Sequence, residues 1–408
     1  MAKCSTILLS SLIAAITVQA QKPKAATAQT PKIATAAQAP PMGWMSWNAF
    51  GPNITEDLLK QTADALVSSG MKDAGYKYIF IDDGWQGTRD AQHHLHPDPK
   101  KFPSGIRALA DYVHSKGLRL GIYSDAAPRT CGGFTGSLGF EKQDAADFAA
   151  WGIDYLKYDY CNAPEDSATA KTRYTTMYKA LAASGRKILL GICEWGVRQP
   201  WRWAAGAGGT VWRTSGDIRD KWKARPNEEG MGILDIVDIN APLDQYAKKG
   251  HWNDPDMLVA GLYGKKGPAS DLGGTGCNDL EYQSQFSLYC IMAAPLAASN
   301  DLRNLNGYTK TILTNKEAIS IDQDALGIQG KRLVNDDTWE IFLKPLANGD
   351  TAVAILNKAD QPQAADIRWP DLGLNGAYKV RDVWSHREIK EIGTVKSHET
   401  RLLRLRRI

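Results

Sequence analysis

Lys157 and Asp159 stand two residues apart in the run YLKYDYC (155–161), and residues i and i+2 of a strand share a face. Tyr155, Lys157 and Asp159 therefore point one way, and Leu156, Tyr158 and Tyr160 the other. An unpaired charge inside a fold is costly. The pair reads either as a structural ion pair or as a lysine that keeps an aspartate ionised for work as a base or nucleophile. The rest of the chain supplies partners for the second reading. Asp82, Asp83, Tyr123, Asp125, Glu194, Arg213, Asp217, Asp254 and Asp256 all lie at or near the end of a short apolar run. Cleavage of a glycosidic bond needs two carboxyl groups, one ionised and one protonated. Asp159 beside Lys157 suits the ionised role and Asp217 the acid, although spacing alone leaves the other carboxylates open. Trp44, Trp47, Trp85, Trp195, Trp212 and Trp252 fall at the same run ends, and aromatic faces stack on the C–H faces of sugars. Core packing is the competing role for each of these rings.

The apolar runs that must position these groups are 42–48, 76–85, 118–125, 154–161, 188–195, 210–217, 251–258 and 294–301. Segments with helical periodicity separate them, among them 55–70, 104–117, 141–152 and 170–185; the first opens on Thr55 and ends on Gly70, with Leu58, Leu59, Ala63 and Leu66 on one face. Strands alternating with helices predict a parallel sheet, and eight such units over roughly 260 residues match a (β/α)₈ TIM barrel, whose active site is built at the C-terminal ends of its strands. An open doubly wound sheet is the alternative, but no glycine-rich phosphate loop follows the first strand. From about residue 328 the pattern changes to short alternating runs with NGD (348–350) as a hairpin turn, which predicts a C-terminal antiparallel β-sandwich domain. The expected division is a catalytic barrel over 40–327 and the sandwich over 328–408.

The bulk properties narrow the function classes. Forty-nine basic and 45 acidic residues give a net charge of +4, too balanced to indicate a nucleic-acid partner. Lys3, the apolar TILLSSLIAAI and the small-residue VQA read as a signal peptide over 1–20 cleaved after Ala20, followed by a disordered linker over 21–39. The expected location is therefore secreted or periplasmic, with no membrane anchor. Without Cys4 five cysteines remain, an odd number, and none has zinc-site spacing. HHLH (93–96) contains an H-x-H pair but no evident third ligand, so neither a metal nor a cofactor is expected.

The motifs PPMGWMSWN, YIFIDDGW, GIYSD, YLKYDYC, CEW, WRTSGDI and WNDPDML, in this order, resemble α-galactosidases of the melibiase family, glycoside hydrolase family 27, from about Pro40 to Gly330. The resemblance implies that Asp159 is the nucleophile and Asp217 the acid/base. It places Asp82 and Asp83 on the 4- and 6-hydroxyls of galactose, Trp47 against the sugar, and Lys157 and Arg213 on ring hydroxyls. Tyr123 and Asp256 then line the pocket. Glu194 reads the 2-hydroxyl and so favours galactose over N-acetylgalactosamine. The resemblance also implies a disulfide between Cys131 and Cys161. Gly84 stands where many members of the family have a cysteine, whose partner is missing too, so one family disulfide is absent. Cys193 is expected as a buried thiol and Arg198 in VRQPWRW as part of an outer subsite, while whether Cys277 and Cys290 pair stays open. The expected partner is an α-galactoside, the aglycone and the oligomeric state being open. Two rivals are a β-L-arabinopyranosidase on the same fold, which the intact Asp82–Asp83 pair disfavours, and a non-catalytic sugar-binding protein, which the presence of both catalytic carboxylates disfavours.

Overall fold

The computed structural model describes residues 1, 38–264 and 275–408. Apart from residues 1, 38 and 39, the expected signal peptide and linker lie outside the described residues. Eight strands form one parallel sheet: β1 (Met42–Met45), β2 (Tyr78–Phe80), β3 (Arg119–Asp125), β4 (Tyr155–Asp159), β5 (Leu189–Ile192), β6 (Val211–Arg213), β7 (Trp252–Asp254) and β8 (Leu296–Ala298). They pair in chain order, β8 returns to β1, and a parallel bridge between Leu258 and Ala298 closes the ring. Helices α1 (Glu56–Ser68), α2 (Gly105–Ser115), α3 (Glu141–Trp151), α4 (Ser167–Ala183), α5 (Ile233–Asn240) and α6 (Asp279–Ile291) lie between the strands in sequence. This is the expected (β/α)₈ barrel.

Strand alternation sorts the core into two clusters. Tyr78, Phe80, Tyr155, Leu189, Val211 and Trp252 pack together inside the barrel, while Ile79, Leu156, Tyr158, Leu190, Ile192 and Trp212 belong to the large cluster shared with the helices. The interior rings fit because glycine faces them. A Cβ on Gly121 would collide with the Phe80 ring, and one on Gly191 with the Tyr155 hydroxyl. Tyr155 cannot retreat, since Phe80 and Tyr78 meet it edge-on at 4.9 and 6.1 Å.

The helices start where the sequence offers caps. Thr55 accepts the Leu58 amide at 3.2 Å, and Leu58, Leu59, Ala63 and Leu66 are the buried face of α1. Helix α4 begins earlier than its periodicity indicates, because Asp166 caps it by accepting the Thr169 amide at 2.8 Å. The strands are shorter than the apolar runs. At the end of β2, the Asp82 amide leaves the ladder to bond the Ser46 hydroxyl at 3.0 Å, and the polar tips become loops.

After α7 (Gly307–Leu313) and α8 (Lys316–Asp322), eight further strands follow: β9 (Lys331–Asn335), β10 (Trp339–Pro345), β11 (Thr351–Asn357), β12 (Gln363–Ala364), β13 (Tyr378–Asp382), β14 (Arg387–Ile389), β15 (Thr394–Val395) and β16 (Thr400–Arg407). A six-stranded antiparallel sheet runs β9-β10-β11-β16-β13-β14, and β12 pairs with β15. It packs on the barrel through polar as well as apolar contacts. Lys344 is buried and donates to the Ile321 carbonyl at 2.6 Å, and Arg381 makes a bidentate pair with Glu317 at 2.7 Å. No helix among the described residues is long and apolar enough to cross a membrane.

Cys131 and Cys161 are joined, and Cys193, Cys277 and Cys290 are buried thiols. Cys277 and Cys290, whose pairing the sequence leaves open, are not joined. Cys277 precedes α6 and Cys290 ends it, a separation of roughly 20 Å at 1.5 Å per helical residue, far beyond what a disulfide spans.

Gly191→Ala is expected to lower stability by about 1–3 kcal/mol through overpacking against Tyr155. A urea-unfolding midpoint measured beside Gly307→Ala, where a Cβ meets nothing, checks it.

Candidate active site

The tips of the strands converge on one pocket of about 540 Å³, lined by Trp47, Asn48, Asp82, Asp83, Tyr123, Cys131, Lys157, Asp159, Cys161, Trp195, Arg213, Asp217, Asp256 and Met257. The register explains the meeting. Tyr123 and Asp125 on β3 lie opposite Lys157 and Asp159 on β4, and Arg213 on β6 lies opposite Asp254 on β7.

Asp159 is buried. One carboxylate oxygen accepts the Tyr160 amide at 3.0 Å and the other the Tyr123 hydroxyl at 3.1 Å. The same hydroxyl lies 3.2 Å from the Cys131 sulfur, so the disulfide touches the group that holds the carboxylate. Burial raises the Asp159 carboxyl to about 6 against the pull of Lys157. Lys157 gives its proton donor to Asp82 at 2.9 Å and sits 5.3 Å over the Tyr123 ring. Its burial, which opposes the charge, is outweighed by Asp82 and Asp159, and the ammonium is held well above its ordinary range.

Asp82 and Asp83 are positioned by backbone. The Asp83 amide donates to Asp82 at 2.8 Å, and Asp83 accepts the amides of Gly84 at 2.9 Å and Gly132 at 2.8 Å. Gly132 follows Cys131, so the disulfide also fixes the loop that holds Asp83. Burial lifts the Asp83 carboxyl despite those donors.

On the opposite wall Arg213 is buried and joins two aspartates, donating to Asp217 at 2.9 Å and Asp256 at 2.5 Å. Asp256, at φ +91°, also accepts the Ile218 amide at 2.8 Å, which ties the loop after β7 to the loop carrying Asp217. Burial brings Asp256 to about 6 in spite of Arg213. Asp217 stands at the rim with 47% of its side chain exposed. Desolvation by the pocket wall raises its carboxyl, but Arg213, Lys157 and Arg219 together win and hold it below its ordinary value.

Three groups lie otherwise than their place in the sequence suggests. Of the six tryptophans at run ends, only Trp47 and Trp195 line the pocket; Trp44, Trp85, Trp212 and Trp252 are buried in the core, where their rings fill the space around the strands. Glu194 is fully buried and is not among the lining residues. Its carboxylate accepts the Arg198 amide at 3.1 and 2.8 Å and the Arg198 guanidinium at 3.1 Å. Arg198 accordingly faces inward: it also donates to the Glu165 carbonyl at 2.9 Å and packs 4.6 Å over the Tyr160 ring. The residue this turn presents to the pocket is Trp195, at φ +57°.

Asn48 and Met257 were not singled out from the sequence, although each directly follows a residue that was. In the sequence Asp125 is one acidic tip among several. It is buried beneath the pocket, accepts the Cys161 amide at 2.9 Å, and is raised to about 9 by burial and by the neighbouring Asp159. It is thus a neutral acid at pH 7. Asp125, Cys131, Asp159 and Cys161 approach within 4.8 Å of one another, but both sulfurs are spent in the disulfide, so the group offers two carboxyls and no thiolate. His94 and His96 face Asp147 and Asp90 at 2.8 and 2.9 Å.

Arg198→Met is expected to destabilise the protein by up to about 3 kcal/mol above neutral pH, where Glu194 would ionise as a buried charge without its cation. Burial already raises Glu194 to about 7. Loss of Arg198 raises it further, so protonation relieves the defect in acid and the defect grows as pH rises through 7. Urea unfolding at both sides of neutrality checks the sign, and Glu194→Gln added to Arg198→Met is expected to recover most of the loss.

Residues 39–324 match the family model described as alpha galactosidase A, and 336–405 match that of the alpha galactosidase C-terminal beta sandwich domain. The chain is 46% identical over 365 residues to alpha-galactosidase A of Cellvibrio japonicus, covering 89% of this chain and 84% of that protein. Alpha-galactosidase 2 of Arabidopsis thaliana is also 46% identical, over 86% of this chain and 84% of its own. The crystal structure of alpha-galactosidase I from Mortierella vinacea superimposes with a TM-score of 0.84 at 35% identity, covering 91% of this chain and 98% of that one. The chain belongs to the α-galactosidase family of glycoside hydrolase family 27.

Proposed function

We propose that this protein is an exported retaining α-galactosidase that removes terminal α-D-galactosyl residues, with Asp159 as nucleophile and Asp217 as acid/base. The observation that carries the reading is the shared pocket of those two carboxyls. One is buried between Tyr123 and Lys157, and the other is held at the open rim by Arg213. Asp159 attacks the anomeric carbon as the glycosidic oxygen departs with the Asp217 proton. The resulting galactosyl ester is then cleaved by a water that gives a proton back to Asp217, and two inversions leave the α configuration. Asp82 and Asp83 hold the hydroxyls that mark galactose, while Trp47 covers the sugar face. The turn of Glu194 and Trp195 is read as the wall that excludes a 2-acetamido group, with Arg198 holding Glu194 in place. The basic, apolar and small-residue segments of 1–20 support export.

The groups of the pocket itself favour a protonation order that is the reverse of the working order. Asp159 titrates near 6 and Asp217 lower. Between those values the pair holds one proton, mostly on Asp159, and catalysis draws on the minor arrangement with the proton on Asp217. The activity is therefore expected to peak in acid and to fall as pH rises through about 6, where the pair loses its last proton. Lys157→Met removes a cation that favours ionised Asp159, so the alkaline limb of kcat/KM should move upward by about one pH unit or more. A pH–rate profile of both proteins tests this, and an unmoved limb would refute the electrostatic role of Lys157.

The functional test is turnover of nitrophenyl α-D-galactopyranoside beside the β-L-arabinopyranoside and α-N-acetylgalactosaminide analogues. The α-galactoside should dominate, and Asp159→Asn should lower its turnover by about 10³-fold or more. NMR of the first-formed sugar should show the α anomer. Preference for the arabinoside, or β product, would sink the corresponding part of the reading.

A further inference from the structure

The loop that leaves Asp217 doubles back on itself. The Met231 amide donates to the Asp217 carbonyl at 2.9 Å, and the Arg219 amide to the Met231 carbonyl at 2.7 Å. Its next turn is pinned to α6 through Asp220, whose carboxylate accepts the Cys277 amide at 3.1 Å and the Tyr282 hydroxyl at 2.8 Å. Two residues on, the indole of Trp222 is covered from the other domain. The imidazole of His398, just before β16, stacks on it with centroids 4.7 Å apart and planes 18° from parallel.

The surroundings of His398 define its charge. Nδ1 lies 2.7 Å from the Glu281 carboxylate on α6, and Nε2 lies 3.1 Å from the Asp360 carboxylate after β11. Ionised carboxylates only accept, so both ring nitrogens must donate, and the state that does so is the imidazolium. Burial opposes that charge, but Glu281 and Asp360 outweigh it and raise the group. Of the other charges near the stack, Lys221 donates to Glu228 at 3.1 Å, Lys223 is exposed, and Glu399 pairs with Arg401 at 3.3 Å. The His398 carbonyl accepts the Ser284 hydroxyl at 2.6 Å, so α6 holds the residue by backbone and by side chain. A cation pressed flat on an indole is an attractive contact that strengthens as water is excluded.

We propose that His398 is a positioning residue for catalysis: through its imidazolium on Trp222, the C-terminal domain braces the loop that aims Asp217 at the leaving oxygen. The proposal rests on Asp217 being the acid/base. It gives the β-domain a part in the reaction and makes that part sensitive to pH, since the brace holds while His398 is protonated and slackens as pH rises through its raised pKa.

The test uses leaving groups. A dinitrophenyl α-galactoside needs no proton to depart, whereas methyl α-galactoside does, so misaimed acid catalysis appears only with the second. In His398→Ala, kcat/KM for the methyl glycoside should fall about tenfold or more, while that for the dinitrophenyl glycoside stays within about twofold. His398→Phe keeps a ring on Trp222 without the charge and should show a smaller selective loss. In wild type, the ratio of the two kcat/KM values should shift with pH through the His398 titration, and in His398→Phe that shift should vanish. Should His398→Ala fail to fold, His398→Phe and Trp222→Phe carry the same comparison. Equal losses on both substrates, or none, would overturn the brace. Asp217→Asn is the control: if it shows no selective loss on the methyl glycoside, the acid/base assignment fails and the proposal with it, whereas selectivity in Asp217→Asn alone fails only the brace.

Discussion

Seven carboxyl groups and two cations share the space at the strand tips, and that imbalance governs the rest of the site. Asp82, Asp83, Asp125, Asp159, Asp217, Asp254 and Asp256 surround Lys157 and Arg213. They cannot all be ionised together. Burial and mutual repulsion put protons on Asp125 at about 9 and bring Asp159 and Asp256 to about 6, while Arg213 and Lys157 keep Asp217 low. The result is a pocket whose charge changes near pH 6. Such a pocket suits a reaction in which one carboxyl must alternate between acid and base while its neighbour remains a nucleophile.

Rigid supports keep that crowd from relaxing. Backbone amides, which cannot swing away, hold Asp82, Asp83, Asp125, Asp159 and Asp256. The Cys131–Cys161 bridge joins two of these supports, since Gly132 holds Asp83 and the Cys161 amide holds Asp125. Below them the barrel is filled by Trp252 and by Tyr78, Phe80 and Tyr155, the last three seated against glycines. Any slack in that layer would pass directly into β4, whose last residue is Asp159.

The architecture was legible in the sequence because it rests on patterns that repeat: eight apolar runs with polar ends, helices opening on caps, and a change to hairpin pattern near residue 328. The shared face of Tyr155, Lys157 and Asp159 followed from strand period alone. Less legible was anything decided by a direction in space. Six tryptophans at run ends look alike in one dimension, yet two face the pocket and four the core. The runs overstate the strands because their polar tips, Asp82, Asp83 and Asp217 among them, leave the ladder for the site. Asp125 looked like one acidic tip among many; only its burial under the disulfide makes it a neutral acid.

Glu194 shows where a motif stops being informative. The run CEW places a carboxylate beside a pocket tryptophan, but whether that carboxylate meets sugar depends on Arg198, four residues later, which takes it with both its amide and its guanidinium. The distinction has a chemical consequence. A site that hydrogen-bonds a hydroxyl rejects an analogue lacking it by leaving a buried polar group unpaired, whereas a site that only limits space rejects bulk and tolerates loss. On the proposed reading, this wall excludes a larger 2-substituent by bulk, with Arg198 holding Glu194 and with Trp195 lining the pocket, while Asp82, Asp83 and Lys157 read the other hydroxyls.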